Sequence, residues 1–204
     1  MNLLIKICGV TTAKDAAMAA EMGADAIGVN FWPGSKRYVD PAEAAPILAA
    51  IPAGILKVGV FVNASAEEVA RKIDLLGLDR VQLHGDEPAG EYAGLDPARL
   101  IRAVRIRDIA SFTAASVWNP VLWLYDAFGD GYGGAGVPAP WALIAENARR
   151  PFLLAGGLTP DNVAAGILAT HPEGVDVASG VERSPGVKDP VKVAAFIAAA
   201  RAAI

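Results

Sequence analysis

The single cysteine of this 204-residue chain stands in Lys6-Ile7-Cys8-Gly9, where an apolar run gives way to a loop. Residues two apart in a strand share a face, so Lys6 sets an ammonium beside the thiol, an arrangement expected to favour the thiolate that takes up a proton. An isolated cysteine also has a plainer reading, as a small buried hydrophobe. The groups fit to work with it close other apolar runs: Gln82 and His84 in Val81-Gln82-Leu83-His84, Asp126 behind Leu122-Trp123-Leu124-Tyr125, and Asp176 in Val175-Asp176-Val177. Taken alone, His84 reads as a hydrogen-bonded core histidine and Asp126 as a loop cap. Together, a thiol, an imidazole and carboxylates form a set for moving protons, one group as base and another as acid. No metal is suggested, because two histidines far apart, His84 and His171, make a poor ligand set with one cysteine. His171, in a His-Pro-Glu-Gly turn, is expected to be structural.

Elements that could hold these groups in one place follow from the hydrophobic pattern. Strand-like runs cover 3–8, 25–31, 55–62, 80–84, 100–106, 121–126, 152–155 and 175–179, and amphipathic stretches separate them. Helix starts are marked by Asp40-Pro41-Ala42-Glu43, Ser65-Ala66-Glu67-Glu68, Thr159-Pro160 and Asp189-Pro190, each a capping residue followed by a first-turn proline or acid. Continuously apolar strands alternating with helices predict a buried parallel sheet, and eight of them predict an α/β fold of one domain over 1–204: a compact (β/α)8 TIM barrel with a short fifth helix at 108–115. An open doubly wound sheet is the alternative, but no Gly-x-Gly-x-x-Gly follows the first strand. In a barrel, strand alternation turns Lys6, Cys8, Gln82, His84, Asp126 and Asp176 toward the axis, several of them at the C-terminal mouth where such folds keep their chemistry.

Composition narrows the partners. A net charge of −4 and the lack of a basic stripe argue against nucleic acid. One cysteine makes no internal disulfide, Lys6 interrupts the first apolar run, and Lys192 and Arg201 break the apolar stretch 191–204; a soluble, cytoplasmic protein with no membrane partner is expected. Glycine collects in the loops after the last three strands: Gly133-Gly134-Ala135-Gly136, Gly156-Gly157 and Ser179-Gly180. Glycine lets backbone N–H groups close around an anion, and these loops are the usual phosphate site of such barrels, so the substrate is expected to carry a phosphomonoester.

The same residues resemble one family nearly end to end, the phosphoribosylanthranilate isomerases. The likeness runs through Lys6-Ile7-Cys8-Gly9, Gly23-Ala24-Asp25, Ser35-Lys36-Arg37-Tyr38, Val58-Gly59-Val60-Phe61 and Val81-Gln82-Leu83-His84-Gly85. It continues through Asp126 with Gly133-Gly134, Ala155-Gly156-Gly157-Leu158, Val175-Asp176-Val177, Ser179-Gly180-Val181-Glu182 and Gly186-Val187-Lys188-Asp189. The resemblance implies a (β/α)8 barrel that needs no cofactor and catalyses an Amadori rearrangement of N-(5-phosphoribosyl)anthranilate, a step of tryptophan biosynthesis. It implies Cys8 as general base, Asp126 as general acid, and Arg37 as a bidentate clamp on the anthranilate carboxylate. Lys6, Gln82, His84 and Asp176 are implied as substrate contacts, and Gly133, Gly134, Gly136, Gly156, Gly157, Ser179 and Gly180 as phosphate ligands. For its role Asp126 must carry a proton, which an apolar barrel mouth favours. The partner is a small molecule; a monomer is expected, with a dimer as the alternative.

Ala135 and Ala178 stand where the family often has a hydroxyl, and Pro140 precedes Trp141 where an acid is common. These departures touch phosphate binding and leave the proposed acid and base alone. Related phosphosugar barrels would need other groups, a lysine acid with a glutamate for an indole-glycerol-phosphate synthase, or a metal with a carboxylate pair for a pentose-phosphate epimerase. A non-catalytic phosphate-binding barrel would need neither Cys8 nor Asp126.

Overall fold

A computed structural model of the chain describes residues 3–128 and 139–204. Its parallel strands are β1 (Leu4–Cys8), β2 (Ala26–Asn30), β3 (Leu56–Phe61), β4 (Arg80–Leu83), β5 (Leu100–Ile106), β6 (Leu122–Ala127), β7 (Phe152–Leu154) and β8 (Gly174–Val177). They pair in sequence order, and β8 closes on β1. Every predicted run is therefore a strand, trimmed or shifted by a residue or two at its ends.

Two apolar layers follow from the strand alternation. Ala26, Val58, Ile101, Ala103, Leu124, Leu153 and Ala155 fill the barrel interior, with Leu4, Leu56 and Leu122 packed against them. Ile5, Ile7, Ile27, Val81 and Leu83 face outward into the larger core under the helices. That parity carries Lys6 and Cys8 inward on β1 and seats them beside chosen neighbours: Lys6 pairs in register with Asp176 of β8, Cys8 with Gly28 of β2, and Asp126 of β6 with Arg105 of β5.

The surrounding helices are α1 (Ala13–Glu21), α2 (Ala44–Ala49), α3 (Ala66–Leu76), α4 (Ile109–Ala114), α5 (Trp141–Asn147), α6 (Val163–Thr170) and α7 (Pro190–Ala202). Ser65 caps α3 by accepting the Glu68 N–H, and Gly77 ends it in the left-handed conformation at φ 60. Asp189 caps α7 ahead of Pro190 in the same way. Asp40-Pro41 starts a 3-10 turn, Pro41–Glu43, that runs on into α2.

Two expectations are corrected. No α-helix joins β4 to β5; two 3-10 turns, Ala89–Tyr92 and Pro97–Arg99, take its place. Gly85, Pro88, Gly90, Gly94 and Pro97 interrupt that stretch too often for a helix to propagate. The short helix predicted after β5 exists as α4, capped by Asp108 and Ser111 in a reciprocal box, but it is the fourth α-helix among the described residues. Thr159-Pro160 does not start α6 either. The turn there is tied by Asn162, whose Oδ1 accepts from Thr159 N–H at 2.8 Å while its Nδ2 donates to the Gly157 carbonyl at 3.0 Å.

A short hairpin, β9 (Glu182–Ser184) and β10 (Val187–Lys188), stands between β8 and α7, with Lys188 opposite Glu182. No helix among the described residues is long and apolar enough to cross a membrane.

Candidate active site

At the C-terminal mouth of the barrel the polar residues fall into linked groups. The first is built on β1. Lys6 Nζ donates to Asp176 Oδ1 at 2.7 Å, and Lys6 is fully buried. Burial by itself would strip the ammonium of its proton, but Asp176 and Cys8 together hold it above its ordinary range. Cys8 behaves in the opposite way to the sequence expectation. Burial, followed by the Asp176 carboxylate, pushes the thiol up, and Lys6 and Lys188 pull against that without prevailing. The Lys6 charge is matched by Asp176 before it reaches the sulfur. Gly28 leaves the space in front of them open: a Cβ there would lie 2.9 Å from Cys8 Sγ and 3.0 Å from Lys6 Nζ.

The second group spans β4 and β6. Gln82 Nε2 lies 2.7 Å from His84 Nδ1, and His84 Nε2 lies 3.1 Å from Asp126 Oδ2. The other carboxylate oxygen, Oδ1, accepts the Ala127 N–H at 2.8 Å. Gly156, at φ +82, brings the loop after β7 against this carboxylate; a Cβ there would stand 2.5 Å from Ala127 N and 3.0 Å from Asp126 Oδ1.

The third group holds Arg37, which lies across the backbone of Gly9 so closely that a Cβ on Gly9 would be 2.3 Å from Arg37 Cδ. The bidentate grip expected toward a ligand is made instead to Glu182: Nε donates to Oε1 at 2.7 Å and Nη2 to Oε2 at 2.8 Å. Nη1 is the nitrogen left over for a ligand. Glu182 Oε1 also accepts from Lys188 Nζ at 2.9 Å, and Lys188 in turn reaches the Ala178 carbonyl at 3.1 Å. Burial works against the Glu182 carboxylate, yet its bonds with Arg37 and Lys188 hold it below the usual range. Burial also draws the Lys188 ammonium down despite Glu182. Two cations share one anion, so this corner of the mouth keeps an unmatched positive charge beside Cys8. Glu182 and Lys188 were visible in the sequence only as parts of motifs, without roles; the β9–β10 pairing joins them.

The glycine loops after β7 and β8 lean on each other. Gly157 adopts φ +60, and a Cβ on Gly180 would fall 1.9 Å from the Leu158 carbonyl oxygen. Ser179 opens the turn Ser179–Val181. Gly133, Gly134 and Gly136 lie outside the described residues.

A (β/α)8 barrel with a buried thiol, a carboxylate joined to an imidazole and a glycine-rich rim at one mouth is organised as an acid–base enzyme. Residues 5–199 match the family model described as N-(5'phosphoribosyl)anthranilate (PRA) isomerase. The chain is 45% identical over 199 residues to the N-(5'-phosphoribosyl)anthranilate isomerase of Citrifermentans bemidjiense, an alignment covering 97% of this chain and 96% of that one. It is 46% identical over 200 residues to that of Geotalea daltonii, with 97% and 96% covered. Among solved structures, the phosphoribosyl anthranilate isomerase of Thermotoga maritima superposes with a TM-score of 0.90 at 37% identity, covering 98% of this chain and all of that one. A phosphoribosyl anthranilate isomerase in complex with reduced 1-(o-carboxyphenylamino)-1-deoxyribulose 5-phosphate superposes at 0.84 with 35% identity, covering 98% of this chain and 100% of that one. The chain belongs to the phosphoribosylanthranilate isomerase family. It is an isomerase of tryptophan biosynthesis that converts N-(5-phosphoribosyl)anthranilate to 1-(2-carboxyphenylamino)-1-deoxyribulose 5-phosphate.

Proposed function

We propose that Cys8 is the general base and Asp126 the general acid of this rearrangement, within a single catalytic domain spanning 1–204. The observation that carries the assignment is their shared setting: both are buried, both face the barrel axis, and Cys8 ends β1 while Asp126 stands one residue before the end of β6, at the same mouth. Asp126 gives its proton to the furanose ring oxygen; the bond from that oxygen to C1 breaks, and the anilino nitrogen supplies the electron pair of the new C=N bond. The iminium acidifies the C2 proton, which passes to the Cys8 sulfur, and the C–H pair becomes the C1=C2 bond of an enolamine. Ketonisation then puts a proton on C1 and takes one from the C2 hydroxyl, leaving the enzyme's proton count unchanged. A cation forming in front of Cys8 opposes the effect of burial and favours the thiolate when it is needed.

Recognition of the rest of the substrate divides along the rim. Arg37, whose Nε and Nη2 are taken by Glu182, contributes to the mouth's unmatched positive charge and suits the anthranilate carboxylate through Nη1. Gly156, Gly157, Ser179 and Gly180, with Gly133, Gly134 and Gly136, offer N–H groups to the phosphate. In this reading the Lys6–Asp176 pair meets the sugar hydroxyls. The small molecule is the partner in this reading, and the cytoplasm the compartment. One Thermotoga maritima relative is described as dimeric and as the source of generated monomers; a monomer is our reading for this chain, and light scattering decides it.

The test is a pair of variants followed by loss of anthranilate-type fluorescence. Cys8→Ser and Asp126→Asn are each expected to lower kcat by roughly two to four decades while still binding the reduced product analogue. Turnover within about tenfold of wild type in either variant removes that residue from its role.

A further inference from the structure

Gln82 is fully buried in the barrel, its Nε2 lies 2.7 Å from His84 Nδ1, and its Oε1 is buried without a hydrogen-bond partner among the described residues. In that orientation the amide donates to Nδ1, so the imidazole carries its proton on Nε2 and donates to an Asp126 carboxylate 3.1 Å away. This is the acid in its unloaded form. Asp126 Oδ1 already accepts the Ala127 N–H, so a proton that loads the acid sits on Oδ2, facing His84. His84 Nε2 must then be bare, Nδ1 must carry the imidazole proton, and Gln82 must offer an acceptor.

We propose that Gln82 and His84 are positioning residues that keep the acid loaded: a half-turn of the Gln82 amide presents Oε1 to His84 Nδ1–H, leaving Nε2 to hold the Asp126 proton until the sugar ring oxygen takes it. Loading adds one solvent proton to the couple and moves the imidazole proton from Nε2 to Nδ1. Delivery breaks the Asp126 O–H bond and forms the ring-oxygen O–H bond, and no other species changes charge. The proposal rests on Asp126 being the acid. The charged groups around the couple are Arg105, in register with Asp126 on β5, with its partner Asp86; Glu87 and Arg102 beside Gly85; and Lys6, Cys8 and Asp176 on the strands across the mouth.

The experiment reads the tautomer directly. The chain has two histidines, so nitrogen-15 spectra of the labelled enzyme contain two imidazoles, and His171→Asn assigns the other; asparagine suits the left-handed backbone there, φ 48. His84 is expected to be neutral and Nδ1-protonated on the acidic side of the alkaline limb of kcat/KM and Nε2-protonated beyond it, with the crossover at that limb. One tautomer throughout, or an imidazolium on the acidic side, overturns the proposal. Gln82→Met keeps the volume but offers no polar end to His84 Nδ1 in either tautomer; kcat is expected to fall about tenfold with KM little changed. A wild-type profile in this variant also overturns it, and if Gln82→Met does not fold, the wild-type spectra still decide. Asp126→Asn separates the two levels. If Asp126→Asn stays within about tenfold of wild type, the acid assignment fails and the proposal with it. If that variant is inert while Gln82→Met behaves as wild type, only the positioning role fails.

Discussion

Replacing Gly28 by Ala adds one methyl group at the β2 position that pairs with Cys8. Carbon and its neighbours rest at about 3.5–4.0 Å, whereas the new Cβ would lie 2.9 Å from Cys8 Sγ, 3.0 Å from Lys6 Nζ and 3.2 Å from Cys8 Cα. The sulfur is therefore too close by somewhat more than half an ångström. The main chain of Cys8 is itself crowded by the methyl, which blocks relief by moving β2 toward β1, and the ammonium is fixed by Asp176, so the sulfur must turn away. Displacing a reacting atom on the ångström scale costs about 100-fold in rate. The overpacking adds about 1–3 kcal/mol of destabilisation, which for a chain of this size corresponds to a fall in Tm of about 2–4 °C per kcal/mol. Steady-state fluorescence assays and thermal unfolding measure both quantities on the same preparation. A folded Gly28→Ala enzyme with kcat/KM within about threefold of wild type would show that the sulfur is not the atom that takes the substrate proton.

Arg37→Ala should weaken binding of the reduced product analogue by about 10- to 100-fold, the loss of a charge-assisted hydrogen bond, with little effect on an analogue lacking the carboxylate; calorimetry compares the two. Equal affinities for wild type and variant would move the carboxylate site elsewhere. Gly180→Ala forces a Cβ to 1.9 Å from a backbone oxygen, so the loops after β7 and β8 must part; inorganic phosphate should then compete poorly as an inhibitor, and unchanged inhibition would take those loops out of the phosphate site. Because folding raises the Cys8 thiol above its unfolded value, its contribution to stability is complete below the ordinary thiol range of about 8.5 and is lost as pH climbs from there toward the raised value. Denaturant unfolding should show stability falling across that alkaline window in wild type and a shallower fall in Cys8→Ser; identical slopes would count against the burial effect.

Much of this was legible because strand alternation is a local rule. Lys6 and Cys8, Gln82 and His84, and Leu124 and Asp126 each lie two residues apart, and a period of two suffices to aim them inward. What the local rule could not show is which distant partner each of these groups meets. Lys6 next to Cys8 in sequence suggested a thiolate, but Asp176, 170 residues from Lys6, takes the ammonium first. Arg37 is aimed by Glu182, 145 residues away, across a hairpin whose register shifts between Val187 and Lys188. Thr159-Pro160 has the composition of a helix start, yet the Asn162 side chain supplies a competing turn that delays α6.

The missing helix between β4 and β5 has a consequence for the barrel's motions. Where other crossovers cover their strands with an apolar helix face, this one buries only Tyr92 and Leu95 of its apolar side chains and adds Arg102 of β5, which donates to the Leu83 and Gly85 carbonyls and pairs with Glu87 under the Trp118 ring, while its own Nε is buried without a partner among the described residues. Separate 3-10 turns lack the cooperativity of a continuous helix, so segment 84–99 can open without unravelling its neighbours. Its amides should exchange with deuterium well before those of β1 and β8. Since His84 begins that segment, the wall beside the acid is expected to open before the β1–β8 side of the barrel does.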